Sequence, residues 1–210
     1  MSTYILDTET TGVSKTDQVI ELATLQLGPL VEEISSLPEL IDFSTIENLH
    51  QCVEESRYLP TCPINPHAYA VHGISRPMLF GKPLSSSIKL PEDAIYFIGH
   101  NVKGFDKRLL GQSNLKLLQH LEDIRYICTL SLAKLISKHC GVYYEDHKLD
   151  TLTKHYYPDY AHILVTPLHS AKNDVVKNLL VLLKLVEHLP KNIDSWDRLF
   201  ELQENIKKVR

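Results

Sequence analysis

Asp7 and Glu9 stand two residues apart in "YILDTETTG", residues 4–12. On a β-strand, residues i and i+2 face the same side, so both carboxylates point to one spot. Two anions this close resist joint ionisation, and one holds its proton to higher pH unless a cation lies between them. A divalent metal ion resolves that conflict; taken alone, Asp-x-Glu reads more simply as a strand end with two solvated acids. Asp106, in "GHNVKGFDKRLL", shares a helical face with Leu109 and Leu110. An unpaired acid at the edge of an apolar face costs on the order of several kcal/mol. Its ordinary use is to support a helix start through the dipole, worth under ~1 kcal/mol. Asp174, in "LHSAKNDVVKNLL", falls in the second turn of a long helix, beside Val175. His169 precedes it by five residues, an offset of ~140° on a continuous helix. Ser170 is a good N-cap and Pro167 interrupts the chain, so His169 falls just outside the helix, free to point where Asp174 points.

The elements that must carry these groups are legible around them. Residues 4–9 and 18–28 read as two strands joined through "TTGVSKTD", where Gly12 can take a positive φ; the short connection predicts an antiparallel pair. A third strand is expected within "SSLPELIDFS", residues 35–44, and an irregular stretch over 44–66, with prolines at 60, 63 and 66. Pro66 and Gly73 bracket a short helix. "AIYFIG" (94–99) reads as a fourth strand buried on both faces, and "RYICT" (125–129) as a fifth. Asn101 is expected to N-cap the helix in "FDKRLLGQ". Helices follow in "LSLAKLISKHC" and "LDTLTKHYY", then from about Ala171 to His188, with an amphipathic segment through Trp196, Leu199, Phe200 and Leu202. Strands first, then strands alternating with helices, predict one α/β domain with a mixed sheet.

Composition restricts the partners. Of 210 residues, 43% are hydrophobic and 23% charged, which argues against disorder. The formal net charge of -4 gives no global attraction to nucleic acid, so such a ligand needs a local patch or metal ions. The N-terminus carries acids where a signal peptide needs an apolar run, and "NLLVLLKLVEHL" is too short to span a bilayer, so a cytoplasmic protein is expected. Cys52, Cys62, Cys128 and Cys140 form no CxxC; His50, Cys52, Cys62 and His67 fit no common zinc spacing, and free thiols are expected.

"YILDTETTG", "GHNVKGFD" and "HSAKND" together resemble the three motifs of the DEDDh branch of the DEDD exonucleases, a family with an RNase H-like fold. The matching residues are Asp7 and Glu9; Asn101, Phe105 and Asp106; His169 and Asp174. "INPHAYAVHGIS" and "ICTLSLAKLI" look like blocks of the DnaQ-like and exonuclease X-like members. The similarity spans roughly residues 4–188; the linking segments match poorly, and residues 189–210 have no counterpart.

The resemblance implies a central mixed five-stranded sheet flanked by helices, with residues 1–190 as the exonuclease domain and 191–210 as a helical extension packed on or beside it. It implies two-metal phosphodiester hydrolysis from DNA 3′ ends, single-stranded or frayed ends favoured, releasing nucleoside 5′-monophosphates. Asp7, Glu9, Asp106 and Asp174 would hold two Mg2+ or Mn2+ ions, and His169 would be the general base. Thr10, Thr11, Val13, Asn101 and Phe105 would meet the substrate. Lys103, Lys107 and Arg108 read either as phosphate contacts or, more simply, as a solvated helix face. RNA or short oligoribonucleotides are the alternative substrate, and a non-catalytic nucleic-acid-binding or scaffold protein the alternative class. A polymerase or repair partner is compatible with the resemblance, no membrane is implied, and the oligomeric state is left open.

Overall fold

The computed structural model describes residues 2–27 and 43–208. Five strands form one sheet in the order β3-β2-β1-β4-β5. They are β1 (Ser2–Thr10), β2 (Val19–Leu27), β3 (Glu54–Arg57), β4 (Ala94–Gly99) and β5 (Arg125–Cys128). β1–β2 and β2–β3 are antiparallel, β1–β4 and β4–β5 parallel. The helices are α1 (Phe43–Cys52), α2 (Pro66–His72), α3 (Asp106–Ser113), α4 (Leu118–Asp123), α5 (Thr129–His139), α6 (Leu149–Tyr156), α7 (Ala161–Leu164), α8 (Ala171–Glu187) and α9 (Trp196–Lys208).

Strand alternation divides the core into two layers. Ile5, Ala23, Leu25, Ile98 and Ile127 face α5, α6 and α8. Tyr4, Leu6, Leu22, Phe97 and Tyr126 face Leu109 and Leu110 of α3. α8 is buried almost all round, because the sheet, α1, α5 and α6 all pack against it. It therefore enters the structure rigidly, which matters for the acid in its first turn.

The expected mixed five-stranded sheet is present, with three differences in detail. Residues 28–42, which hold most of the expected third strand, lie outside the described residues; Phe43 and Ser44, its last two positions, begin α1. The stretch 44–66 is not wholly irregular, since it contains most of α1 and all of β3. The prolines that suggested irregularity all follow these elements, and β3 ("EESR") is an exposed edge strand without an apolar pattern. Asn101 does not cap α3. It adopts φ 67, and its carbonyl accepts the N–H groups of Gly104 and Phe105, so a tight turn precedes a helix that starts at Asp106. Asn tolerates the left-handed region better than most residues. The expected ends of α2 are as read: Asn65 accepts the His67 N–H, and Gly73 sits at φ 68.

α9 lies against β5. Trp196 and Leu199 join the α8-side core, and Gln203 pairs with both the N–H and the carbonyl of Cys128 at 3.1 Å. The strand's last backbone groups are thereby satisfied at a sheet edge.

His100, just after β4, is half-buried: its Nε2–H donates to the His147 carbonyl at 2.9 Å, and burial pushes the imidazole down to about 4. The unfolded chain titrates near ~6.5, so it takes up this proton first as pH falls. Stability is unaffected above ~6.5 and declines from there to about 4, by on the order of 3 kcal/mol from this one group. His100→Asn is expected to lose less unfolding free energy than the parent between pH 6.5 and 4; urea melts across that range check it.

Candidate active site

β1 presents its acids at the rim where the two layers meet. Asp7 is opposite Ala23 and Glu9 opposite Glu21, both acids on the α8 side, as the period of two requires. Thr8, between them, faces the other layer, and its hydroxyl donates to Asp106 Oδ1 at 2.8 Å. One strand segment thus feeds the site from both faces. Glu9, Asp106 and Asp174 are 8%, 1% and 7% exposed, while Asp7 keeps partial access to solvent.

Asp174 is brought in by α8, and the anchoring of that helix differs from the sequence expectation. Ser170 sits at the N-cap with extended backbone but makes no side-chain cap bond. Glu21 of β2, fully buried, accepts the Ala171 N–H at 2.9 Å and Arg57 Nε at 2.8 Å. A carboxylate there also complements the helix dipole. His169 lies just outside α8, as expected. Its N–H donates to the Val71 carbonyl, and its Nδ1 lies 3.2 Å from Asp174 Oδ2. α2 supplies a second histidine: His72 Nδ1 accepts the Ile74 N–H, so Nε2 carries the proton donated to the Thr10 carbonyl at 3.1 Å.

The clustered charges perturb one another. Burial, then the charges of Asp174, Asp106 and Glu9, hold the Asp7 carboxyl well above its ordinary range. Burial, then Asp174 and Glu21, push Glu9 up to about 8. Burial raises Asp106 to about 7, against the pull of the Thr8 hydrogen bond. Asp174 goes the other way: burial pushes it up, but His169 and Lys177 outweigh this and hold it low. In return the hydrogen bond to Asp174 raises His169.

The donor set fits a divalent ion. One atom each from Glu9, His169 and Asp174 lies within 4.8 Å of the other two, the only such cluster of acids, histidines and cysteines among the described residues. Asp106 is close enough to Asp7 for its charge to raise the proton affinity of Asp7. Carboxylate oxygens are hard ligands of the kind that hold divalent cations. His50, Cys52, Cys62 and His67 form no such cluster, and the four cysteines are free.

The other expected contacts are arranged unevenly. Thr10 and Thr11 are buried and spend their hydroxyls internally, on the Gly12 carbonyl and on Asp17. Val13 is 70% exposed at the outer edge of the same loop, which Arg108 holds by donating to the Val13 carbonyl. Phe105 is half-buried against the α3-side core, and Asn101 is exposed. Lys103 and Lys107 pair with Glu204 and Glu122. Lys103, just before α3, and Lys107 and Arg108 on it are thus all engaged within the protein. Asp150, Lys177, Glu21 and His72 were missed from sequence. Lys177 had a signal, since a lysine interrupts the most apolar helix three residues after Asp174; Glu21 and His72 had none.

A family model described as "Exonuclease" (RNase T) matches residues 4–182, which takes in every one of these acids and His169. The chain belongs to this exonuclease family. The match agrees with the DEDDh, DnaQ-like resemblance of the three motifs. Among solved structures, the exonuclease domain is similar to Exonuclease X in complex with 5′ overhanging duplex DNA, at TM-score 0.57 and 19% identity over 94% of this chain and 99% of that one. It is also similar to E. coli Exonuclease I in its zinc-bound complex with single-stranded DNA, at TM-score 0.65 and 16% identity over 96% of this chain and 42% of that one. These likenesses establish the RNase H-like fold. DNA polymerase III PolC-type from Latilactobacillus sakei subsp. sakei (strain 23K) is 28% identical over 196 residues, 90% of this chain. The chain spans only 12% of that relative's length. No helix among the described residues is long and apolar enough to cross a membrane.

Proposed function

We propose that the protein is a divalent-metal-dependent 3′→5′ exonuclease acting on DNA, with single-stranded or frayed ends favoured, releasing nucleoside 5′-monophosphates. The observation that carries this reading is the convergence of Asp7, Glu9, Asp106 and Asp174, drawn from three elements, beside His169. Acids that raise one another's proton affinity in a buried site are a poor stability solution and a good metal-holding one. Asp7, Glu9, Asp106 and Asp174 would hold two Mg2+ or Mn2+ ions. When bound, such ions supply an activated water and charge stabilisation for the leaving 3′ oxygen.

The chain's own residues do the rest. In neutral His169, Nδ1–H donates to Asp174, which fixes the tautomer and leaves Nε2 unprotonated, with Asp150 Oδ2 3.7 Å away and beyond hydrogen-bond distance. With 37% of its side chain exposed, the ring can reach a water in front of the acids and take its proton. Thr8 holds Asp106, Glu21 holds the start of α8, and His72 holds the Thr10 carbonyl, so the acids and the loop beyond them are set before substrate arrives. Val13 and Phe105 would be apolar contacts for the terminal base and sugar, with Thr10, Thr11 and Asn101 shaping the loops that bear them.

The DNA complexes of the structural neighbours support DNA as substrate, and the PolC-type relative supports work beside a polymerase or repair protein. Residues 1–190 would be the catalytic unit and 191–210 a C-terminal extension, of which α9 lies against β5. Free thiols fit the reducing cytoplasm. Incubation with single-stranded DNA, duplex DNA and RNA of one sequence in Mg2+ tests the substrate. Single-stranded DNA is expected to be degraded fastest; preferential RNA degradation would move the assignment to oligoribonucleotides, and no turnover of any of the three would overturn catalysis.

A further inference from the structure

Lys177 is the only buried lysine or arginine among the described residues, at 2% exposure. A buried ammonium is tolerated only when paired. Its Nζ lies 2.6 Å from Asp150 Oδ1, as a hydrogen bond, and 2.5 Å from Asp174 Oδ1. At that distance the ammonium neutralises Asp174 Oδ1 directly, and no other polar group among the described residues meets that oxygen. The other oxygen of each acid faces His169: Asp174 Oδ2 at 3.2 Å from Nδ1, Asp150 Oδ2 at 3.7 Å from Nε2. One ammonium therefore ties down both carboxylates that flank the imidazole.

Resting on the metal-dependent reading above, we propose that Lys177 is a built-in cation of the acid cluster, a positioning residue that keeps Asp174 Oδ1 engaged and leaves Oδ2 alone to meet a divalent ion. Lys177 is three residues after Asp174 on a helix buried almost all round, so the ammonium cannot swing out to solvent as a surface lysine would. Its two acids come from separate elements, α6 and α8, so the pair also sets the distance between them. An ion approaching Asp174 meets a like charge on the far side of the carboxylate. Lys177 thus weakens divalent binding, prevents two-oxygen capture by Asp174, and steadies the ring between Asp150 and Asp174.

Two measurements test this. In the wild-type protein, the Lys177 ammonium signal in 1H–15N NMR is expected to stay protected from exchange as Mg2+ is raised to saturation; its loss on Mg2+ binding would overturn the proposal. By calorimetry, Lys177→Gln is expected to bind Mn2+ about tenfold more tightly than wild type, whereas Lys184→Gln, at an exposed pair with Glu187, is expected to bind as wild type does. Equal or weaker Mn2+ binding by folded Lys177→Gln would overturn it, and if that variant does not fold, the wild-type spectrum decides alone. A wild type that binds Mg2+ with Lys177 in place yet cleaves no nucleic acid would sink the proposed function and leave this inference standing. A wild type that binds no divalent ion would sink both.

Discussion

Asp7→Asn is expected to abolish cleavage and, at the same time, to raise the melting temperature of the metal-free protein at pH 7.5. The two effects share one cause. Asp7 is pressed by burial and by Asp174, Asp106 and Glu9, so its carboxyl gives up a proton far less readily in the folded chain than in the unfolded one. For an acid whose folded pKa lies above its unfolded value of ~3.9, the penalty is absent below that value and grows as pH rises. Glu9, raised to about 8, and Asp106, raised to about 7, add to the same trend. Removing the Asp7 charge relieves the cluster by on the order of 1–2 kcal/mol; at about 2–4 °C per kcal/mol this is a shift of several degrees. The gain should shrink at pH 5 and disappear when saturating Mg2+ stabilises the wild type. Loss of a metal-holding acid removes several kcal/mol of transition-state stabilisation, a fall on the order of 10^3-fold or more in rate. Thermal melts in EDTA and in Mg2+, beside a cleavage assay, check both halves. An Asp7→Asn protein that melts lower than wild type in EDTA at pH 7.5 would contradict the electrostatic description of the site.

His169→Ala is expected to separate chemistry from assembly. The ring is half-exposed and meets Asp174 through Nδ1, while the backbone N–H of His169 stays bonded to the Val71 carbonyl when the side chain is cut, so removal of the ring leaves the acids in place. Mn2+ affinity should change little, while kcat falls about 10^2–10^4-fold, the range for a lost general base. The wild-type rate should also decline on the acid side as the imidazole takes up its proton. The hydrogen bond to Asp174 places that uptake above the ordinary histidine value in the metal-free protein. In His169→Ala the acid limb should vanish. A variant with normal turnover would remove His169 from the base role.

The site was more legible in the sequence than its supports were. The period of two on β1 places Asp7 and Glu9 on one side, whereas Asp106, His169 and Asp174 stand out through the resemblance of the three motifs to the exonuclease family, since His169 lies outside α8 and no local period links it to the acids. What could not be read is what comes from distant segments. Glu21 caps α8 from 150 residues away, and Thr8 meets Asp106 from 98 residues away. No local pattern specifies either contact. Ser170 looked like the cap because composition favours it, yet the buried carboxylate on β2 satisfies the helix start instead. β3 was missed for a related reason. As an edge strand with exposed acids, it owes its structure to pairing with β2 rather than to its own residues. Lys177 interrupts the apolar sequence of α8, but its partner Asp150 comes from α6, which no local pattern specifies.

The central claim is that four acids hold divalent ions for cleavage from the 3′ end. A 5′-labelled single strand incubated with the protein tests it most directly, in Mg2+ and in EDTA, with products resolved by length at early times. The account predicts a ladder shortening one nucleotide at a time from the 3′ end in Mg2+, with the label kept on the long fragments, and intact strand in EDTA. Release of the labelled 5′ mononucleotide as the first product, or equal cleavage in EDTA, would contradict it.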